Sequence, residues 1–307
     1  MQVFVTGASG HIGSALISEL QDAGHQVLGL ARSDQAAAKI AAAGANVVRG
    51  TLDEHDVLAT TAAQADGVIH LAFKHDWMAS GNWMGAVESD FAAVSAIGEA
   101  LSGSGKPFVG TSGTLMLARG GISGRTGTEH DVISGGPRVD TENHLISLAA
   151  QGVRSSVVRL PPTVHSDLDH HGFIPALIGI ARARGYAAYL GDGSNRWPAG
   201  HTRDAARIYR LALEAAPAGT RLHAVGDEGI AFREIAETIG RKLDVPVRSI
   251  PAEEAEEYFA FLAPFVGEDN PTSALQTRDS LGWTPEHPGL IADLEQGHYF
   301  VQQTGTH

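Results

Sequence analysis

Apolar positions change period repeatedly along this chain. Val3, Phe4 and Val5 form a short β-branched and aromatic run that breaks at Thr6-Gly7. Ile12, Leu16 and Leu20, with Ala15 and Ala23 beside them, then recur every three to four residues up to Gly24. A short continuous apolar run reads as a buried strand, and the longer period as one face of a helix. The same alternation continues. Strands are predicted at Gln26–Ala31, Asn46–Arg49, 67–72, 107–110 and 153–160, and helices at 33–43, up to about Ala63, at about 87–101 and through Leu145, Ile146 and Ala149 to Gly152. Beyond them come a helix at Phe173–Arg184, strands at 222–225 and 245–250, a helix at Phe232–Leu243, an acidic helix from Ala252 and a last helix over about 288–301. Successive βαβ units of this length predict an α/β fold with a doubly wound parallel sheet and a smaller C-terminal lobe. The dinucleotide-binding part is expected over 1–165, with 200–226 returning to it, and the substrate lobe over 166–307.

The turn after the first strand carries the first chemistry. Gly7, Gly10 and Gly13 stand in G-x-x-G-x-x-G between a strand and a helix, the setting of a Rossmann-type dinucleotide site. One glycine tightens the turn, one admits a pyrophosphate to the backbone, and one lets the helix pack on the strand. The phosphates are expected on the free N–H groups of Ser9, Gly10, His11, Ile12 and Gly13 at the new helix end. At the end of the second strand, where an acid would grip ribose hydroxyls, the chain reads Leu30-Ala31-Arg32-Ser33, and Asp34 is the first acid. A guanidinium beside a hydroxyl suits a 2′-phosphate, so NADP is expected rather than NAD.

Composition narrows the partners. Among 307 residues there are 22 Lys and Arg against 35 Asp and Glu, a net charge of −13, and no basic block. Nucleic acid and anionic membrane surfaces are therefore not expected as partners. With no cysteine, disulfides, thiolate catalysis and Cys-ligated zinc are excluded. No apolar run is long enough to span a bilayer, and the N-terminus enters a strand at once, so a cytoplasmic protein is the expectation. Asp167, Asp169, His170 and His171 crowd one loop without metal-ligand spacing, and no metal is expected. Lys74, His75, Asp76 and Trp77 follow the fourth strand at the edge where open α/β sheets bind ligands. Lys74 and His75, with Tyr189, Arg196 and Trp197 farther on, are the candidate substrate contacts.

TGASGHIG, GTLD and VIHLA together resemble the short-chain dehydrogenase/reductase superfamily, in its extended or atypical epimerase/dehydratase branch. The likeness runs from Met1 to about Asp204 and more weakly to Pro285. It implies adenine contacts at Thr51 and Leu52, with Thr51 where the family carries an Asp. Nicotinamide-side contacts are implied at Leu71, Ala72 and Phe73, and, from an LRPxxVYG-like segment, at Leu160, Pro161 and Val164. It further implies a catalytic hydroxyl at the end of the fifth strand, at Ser112 or, second, Thr114. His201 and Asp204 stand for the family's H-V-x-D element.

The family's active Tyr and Lys, four apart on the next helix, have no counterpart. None of Tyr186, Tyr189, Tyr209, Tyr258 and Tyr299 lies between Ser112 and Val158. Arg138 and Glu142 stand at the two positions in one register, Ser134 and Arg138 in another. Three readings remain open at this point. Hydride transfer persists with the carbonyl polarised by Ser112 and Arg138; or the acid comes from the lobe, from Tyr186, Tyr189, His165 or His201; or the chain binds the dinucleotide and does no chemistry. The expected activity is NADP-dependent reduction of a small carbonyl compound or oxidation of the alcohol. A dinucleotide sensor and a sugar-nucleotide epimerase or dehydratase are the alternatives. A homodimer is a further expectation from the resemblance.

Overall fold

The computed structural model describes residues 1–79, 81–122 and 124–301; the last six residues of the expected lobe lie outside it. In chain order the first half is β1 (Gln2–Thr6), α1 (His11–Asp22), β2 (Gln26–Ala31), α2 (Asp34–Ala42), β3 (Asn46–Arg49), α3 (His55–Gln64), β4 (Gly67–His70), α4 (His75–Ala79), α5 (Trp83–Leu101), β5 (Pro107–Gly113), α6 (Leu115–Arg119), α7 (Pro137–Ser147), β6 (Arg154–Leu160) and β7 (Thr163–His165). The second half is α8 (Phe173–Arg184), β8 (Ala187–Leu190), β9 (Arg196–His201), α9 (Thr202–Ala215), β10 (Thr220–His223), β11 (Asp227–Ala231), α10 (Phe232–Leu243), β12 (Val247–Ile250) and four short helices, α11 (Ala255–Phe259), α12 (Ala263–Val266), α13 (Leu275–Leu281) and α14 (Leu290–Gln296).

Seven strands form one sheet in the order β10-β6-β5-β4-β1-β2-β3, every pair parallel. Helices cover both faces. Leu16, Ile17 and Leu20 of α1 and Ile208, Tyr209 and Leu213 of α9 bury one face of the sheet. Leu58 of α3, Ala93, Val94 and Ile97 of α5 and Leu145 of α7 bury the other. Strands buried on both faces need no polar alternation, which is why Val3-Phe4-Val5 reads as a plain apolar run. The chain leaves β1 toward β2 and β3 on one side, and continues from β4 to β5 and β6 on the other. The strand order therefore reverses between β1 and β4, and a crevice opens at their carboxyl ends, where such sheets bind ligands.

The lobe has its own core around Ile174, Trp197, Phe232, Phe259 and Leu290, and two small sheets, β11-β9-β7 and β12-β8. Several expectations change here. Ala187–Leu190 and Arg196–His201 are strands; the sequence pattern showed only a turn-rich stretch around 191–197. Each is short, and each pairs with a partner distant in sequence, β8 with β12 and β9 with β11 and β7. His75–Ala79 is a short helix instead of a loop. The fifth strand runs on through Thr111, Ser112 and Gly113 because β6 pairs with it along its whole length.

Candidate active site

The glycine turn forms one wall of the crevice. Gly7 has φ +73, and a Cβ there would lie 2.8 Å from the Ala72 backbone nitrogen. A Cβ on Gly13 would lie 2.1 Å from the Gly7 carbonyl oxygen. The turn is thus closed by backbone packed on backbone, which only glycine permits. Gly10 is the N-cap of α1, with no side-chain cap and no acid in the first turn, so the first N–H groups of the helix are free for an anion. Ser9 is half-buried beside them, and Ile12 packs into the core below. His11 turns toward the lobe, its Nε2 2.6 Å from Thr202 Oγ1. Burial, with the neighbouring His170, His165 and His201, pushes its imidazole down to about 4.

Beyond β2, Arg32 pairs with Asp76 at 3.1 Å, both side chains more than half exposed. Ser33 caps α2 by accepting the Ala36 N–H. Asp34 faces solvent and pairs with Arg49, so two guanidiniums and a hydroxyl stand near the ends of β2 and β3. At the end of β3, Thr51 Oγ1 accepts the Asp53 N–H and Leu52 is buried in the core. On the opposite side, Leu71, Ala72 and Phe73 leave β4 across the crevice, and Pro161 and Val164 follow Leu160 at the end of β6.

The four candidate catalytic residues do not converge. Arg138, on the first turn of α7, reaches the crevice. Its Nη1 donates to Asp90 Oδ2 at 3.1 Å, its Nη2 to the Thr111 carbonyl at 3.2 Å, and its guanidinium lies 4.2 Å over the Phe73 ring. Glu142, one turn on, points away from the crevice. It accepts from Arg159 at 2.6 Å and Arg221 at 2.7 Å, holding α7 to β6 and β10. Burial raises its carboxyl, but Arg159, Ser112 and Arg221 more than offset that and hold it below the usual carboxylate range. Ser112 Oγ is buried and makes no hydrogen bond of regular geometry; its polar neighbour is the Glu142 carboxylate. Thr114 is fully buried and accepts from Asn270 Nδ2. Of the four, only Arg138 borders the crevice.

A buried chain of polar groups fixes Arg138. His70 Nε2 lies 3.1 Å from Asp90 Oδ1, and His70 Nδ1 lies 2.8 Å from Thr6 Oγ1, which accepts the Ala72 N–H. A carboxylate only accepts, so His70 donates from Nε2 and, when neutral, takes the Thr6 hydroxyl proton at Nδ1. Burial would raise the Asp90 carboxyl, but Arg138 and His70 more than offset it and keep it ionised. Asp90 escaped the sequence reading. Its one signal is an acid on the buried face of α5, among Ala86, Ala93, Val94 and Ile97.

The candidate substrate residues separate as well. His75 packs edge-on against Phe73 at 5.2 Å on the lip of the crevice. Its imidazole is pushed below the usual range by that packing and by Arg138. Lys74 is spent: its Nζ lies 2.7 Å from both Asp53 carboxylate oxygens and 3.8 Å from the centre of the Trp77 ring. Trp197 is buried in the lobe core against Phe232, Arg196 pairs with Asp269, and Tyr189 is half-buried in β8. Elsewhere, His165 Nδ1 bonds Asp293, and the Tyr186 ring meets Tyr258 at a tilt of 43°. His201, Asp204 and His287 bring metal-type ligand atoms within 4.8 Å of one another. The Asp204 carboxylate, however, is occupied by the Glu286 and His287 N–H groups and by His287 Nδ1, and it serves as a cap on the 286–287 segment.

Residues 3–129 match the family model described as "NAD dependent epimerase/dehydratase family". An uncharacterised Schizosaccharomyces pombe protein is 46% identical over 302 residues, covering 98% of this chain and 100% of the relative. The chain belongs to the NAD-dependent epimerase/dehydratase family. A ketoreductase of Stigmatella aurantiaca, acting on a 3-oxo-4-farnesyl-dihydroquinoline oxide, is 27% identical over 229 residues, 71% of this chain and 66% of that one. A dTDP-glucose 4,6-dehydratase from Streptomyces venezuelae, solved with NAD, superposes with a TM-score of 0.77 at 19% identity over 99% of this chain and 98% of its own. That likeness is one of fold, and it matches the parallel sheet and the turn described above. Family and turn together support a nicotinamide dinucleotide as the cofactor. Among the described residues, no helix is long and apolar enough to cross a membrane.

Proposed function

We propose that this family member is an NADP-dependent reductase of a small carbonyl compound, or the oxidant of its alcohol in reverse, with Arg138 standing in for the missing phenol. The observation that carries the reading is the placement of Arg138 at the carboxyl ends of β4 and β5, over the Phe73 ring and held by Asp90 and the Thr111 carbonyl, with three guanidinium N–H groups that make no hydrogen bond among the described residues. A guanidinium there polarises a carbonyl and stabilises the oxyanion that forms as hydride reaches the carbon; the oxygen takes its proton from solvent. The ketoreductase relative supports ketone reduction, since the chemistry in its name is this one. Arg32 and Ser33, with Asp34 turned outward, support NADP.

The test is NADPH oxidation against a panel of aldehydes, ketones and diketones, with NADPH and NADH binding titrated in parallel. Steady turnover of a carbonyl is expected. Arg32→Ala is expected to weaken NADPH about tenfold or more while leaving NADH nearly unchanged, because only the 2′-phosphate loses its partner. The missing phenol favours one second reading, a sensor that binds NADP and does no chemistry. Tight NADPH binding with no turnover across the panel would decide for it.

A further inference from the structure

The lip of the crevice carries more aromatic surface than a small aliphatic substrate needs. Phe73 leaves β4 at the strand-order reversal. Its ring meets His75 edge-on at 5.2 Å and Trp83, tilted by 56°, at 5.8 Å, so three aromatic rings gather at the end of β4. Trp83 opens α5, whose start is set by Asn82 accepting the Gly85 N–H, so the indole sits on a capped helix. Phe73 and Trp83 are half-buried and His75 is exposed, so these rings are not sealed into the core. In the lobe, by contrast, Trp197, Phe232 and Phe259 are buried against one another and offer no ring face.

Arg138 supplies the polar end of this cluster. A guanidinium has five N–H groups; one on Nη1 goes to Asp90 and one on Nη2 to Thr111, which leaves three. The side chain is only 14% exposed, and its charge is balanced by the buried Asp90 carboxylate. A neutral oxygen acceptor fits that balanced pair better than a second carboxylate, which would compete with Asp90. The guanidinium carbon also lies 4.2 Å from the Phe73 ring centre, so its donors sit beside the aromatic cluster.

We propose that the substrate is a flat conjugated carbonyl, an aryl ketone or a quinone, with its oxygen on Arg138 and its ring against Phe73, His75 and Trp83. This rests on the reductase reading and names the substrate class for the same site. Hydride from NADPH enters the carbonyl carbon, the C=O π pair moves to oxygen beside Arg138, and a solvent proton completes the alcohol. For a quinone, the same hydride and proton give the hydroquinone and NADP.

Matched pairs test it in the full-length protein with NADPH: acetophenone against cyclohexyl methyl ketone, and naphthoquinone against cyclohexanedione. The first pair presents a methyl ketone on a flat or a puckered ring; because a quinone is intrinsically the better hydride acceptor, the second pair is judged by how far Trp83→Leu lowers its ratio. A kcat/KM at least about tenfold higher for the flat member of the first pair is expected, the scale of one ring-stacking contact. Trp83→Leu should collapse that ratio toward one and lower the second, mainly through KM of the flat member, with NADPH affinity reported alongside as the measure of folding. Equal or reversed preference within the first pair in the wild type, or ratios that survive both Trp83→Leu and Phe73→Leu, overturns the substrate class while leaving the reductase reading intact. If NADPH binds and no carbonyl turns over, the reductase reading fails. Calorimetry of acetophenone into the NADPH complex then judges the aromatic cluster alone: binding lost in Trp83→Leu supports it, and no binding overturns it.

Discussion

At the residue scale, the site depends on a few side chains whose neighbours determine what each is free to do. Arg138 and Glu142 lie one turn apart on α7, yet one borders the crevice and the other is consumed by Arg159 and Arg221. Arg138→Gln is expected to lower kcat by roughly 10²-fold or more, as loss of an oxyanion donor does elsewhere, with NADPH affinity little changed. Asp90→Asn keeps the shape but removes the charge that aims the guanidinium. It should lower kcat more than it raises KM, and combined with Arg138→Gln it should add little, since the two act as one unit. Additive losses in that pair would separate Asp90 from Arg138. The sequence offered Arg138 with Glu142, or Ser134 with Arg138, at the two helix positions that the family resemblance marks out. The division of labour between Arg138 and Glu142 was not legible there, because Asp90, Arg159 and Arg221 reach α7 from 48, 17 and 79 residues away.

At the element scale, β1, the glycine turn and α1 were legible, since an apolar strand, the glycine spacing and a helical apolar period are local features, and the turn itself closes backbone to backbone. Gly13→Ala puts a methyl 2.1 Å from the Gly7 carbonyl oxygen, and that backbone cannot yield without moving the helix. Loss of NADPH binding, read by titration, is expected even where the variant still folds. Helix α7 depends instead on tertiary contacts. A Cβ on Gly110 would lie 2.2 Å from Leu145 Cδ2, so the glycine lets the Leu145 side chain of α7 pack directly on the β5 backbone. Its far side is fastened by the buried Glu142 between two arginines. Glu142→Ala strands both guanidiniums and should destabilise the fold by about 3 kcal/mol or more in denaturant unfolding. The strands at Ala187–Leu190 and Arg196–His201 lacked any local signature because their partners, 247–250, 227–231 and 163–165, are supplied by distant chain.

Across the whole molecule, imidazoles gather where the glycine turn, the lobe and the returning strands meet. Burial pushes His11 and His201 each to about 4, from 6.5 when exposed, and away from that cluster it lowers His223 on β10 as well. Between those values the unfolded chain binds more protons than the folded one, so stability rises with pH across that interval. The contribution is complete above about pH 6.5 and is lost as pH falls through about 4. Thermal midpoints should therefore drop over that window, and His11→Gln should make the drop shallower whatever it does to the absolute midpoint. An unchanged slope in that variant would show that His11 titrates normally. The sequence by itself determined the α/β alternation, the glycine turn, the arginine beyond β2 and the lack of any tyrosine between Ser112 and Val158, because periodicity, glycine spacing and residue identity are local properties. Only the tertiary structure decided that Arg138 faces the crevice, that Lys74, Glu142 and Trp197 are taken up by Asp53, by two arginines and by the lobe core, and that Phe73, His75 and Trp83 gather at the end of β4. Those outcomes depend on which buried charges and rings meet across the fold, and no spacing along the chain encodes that.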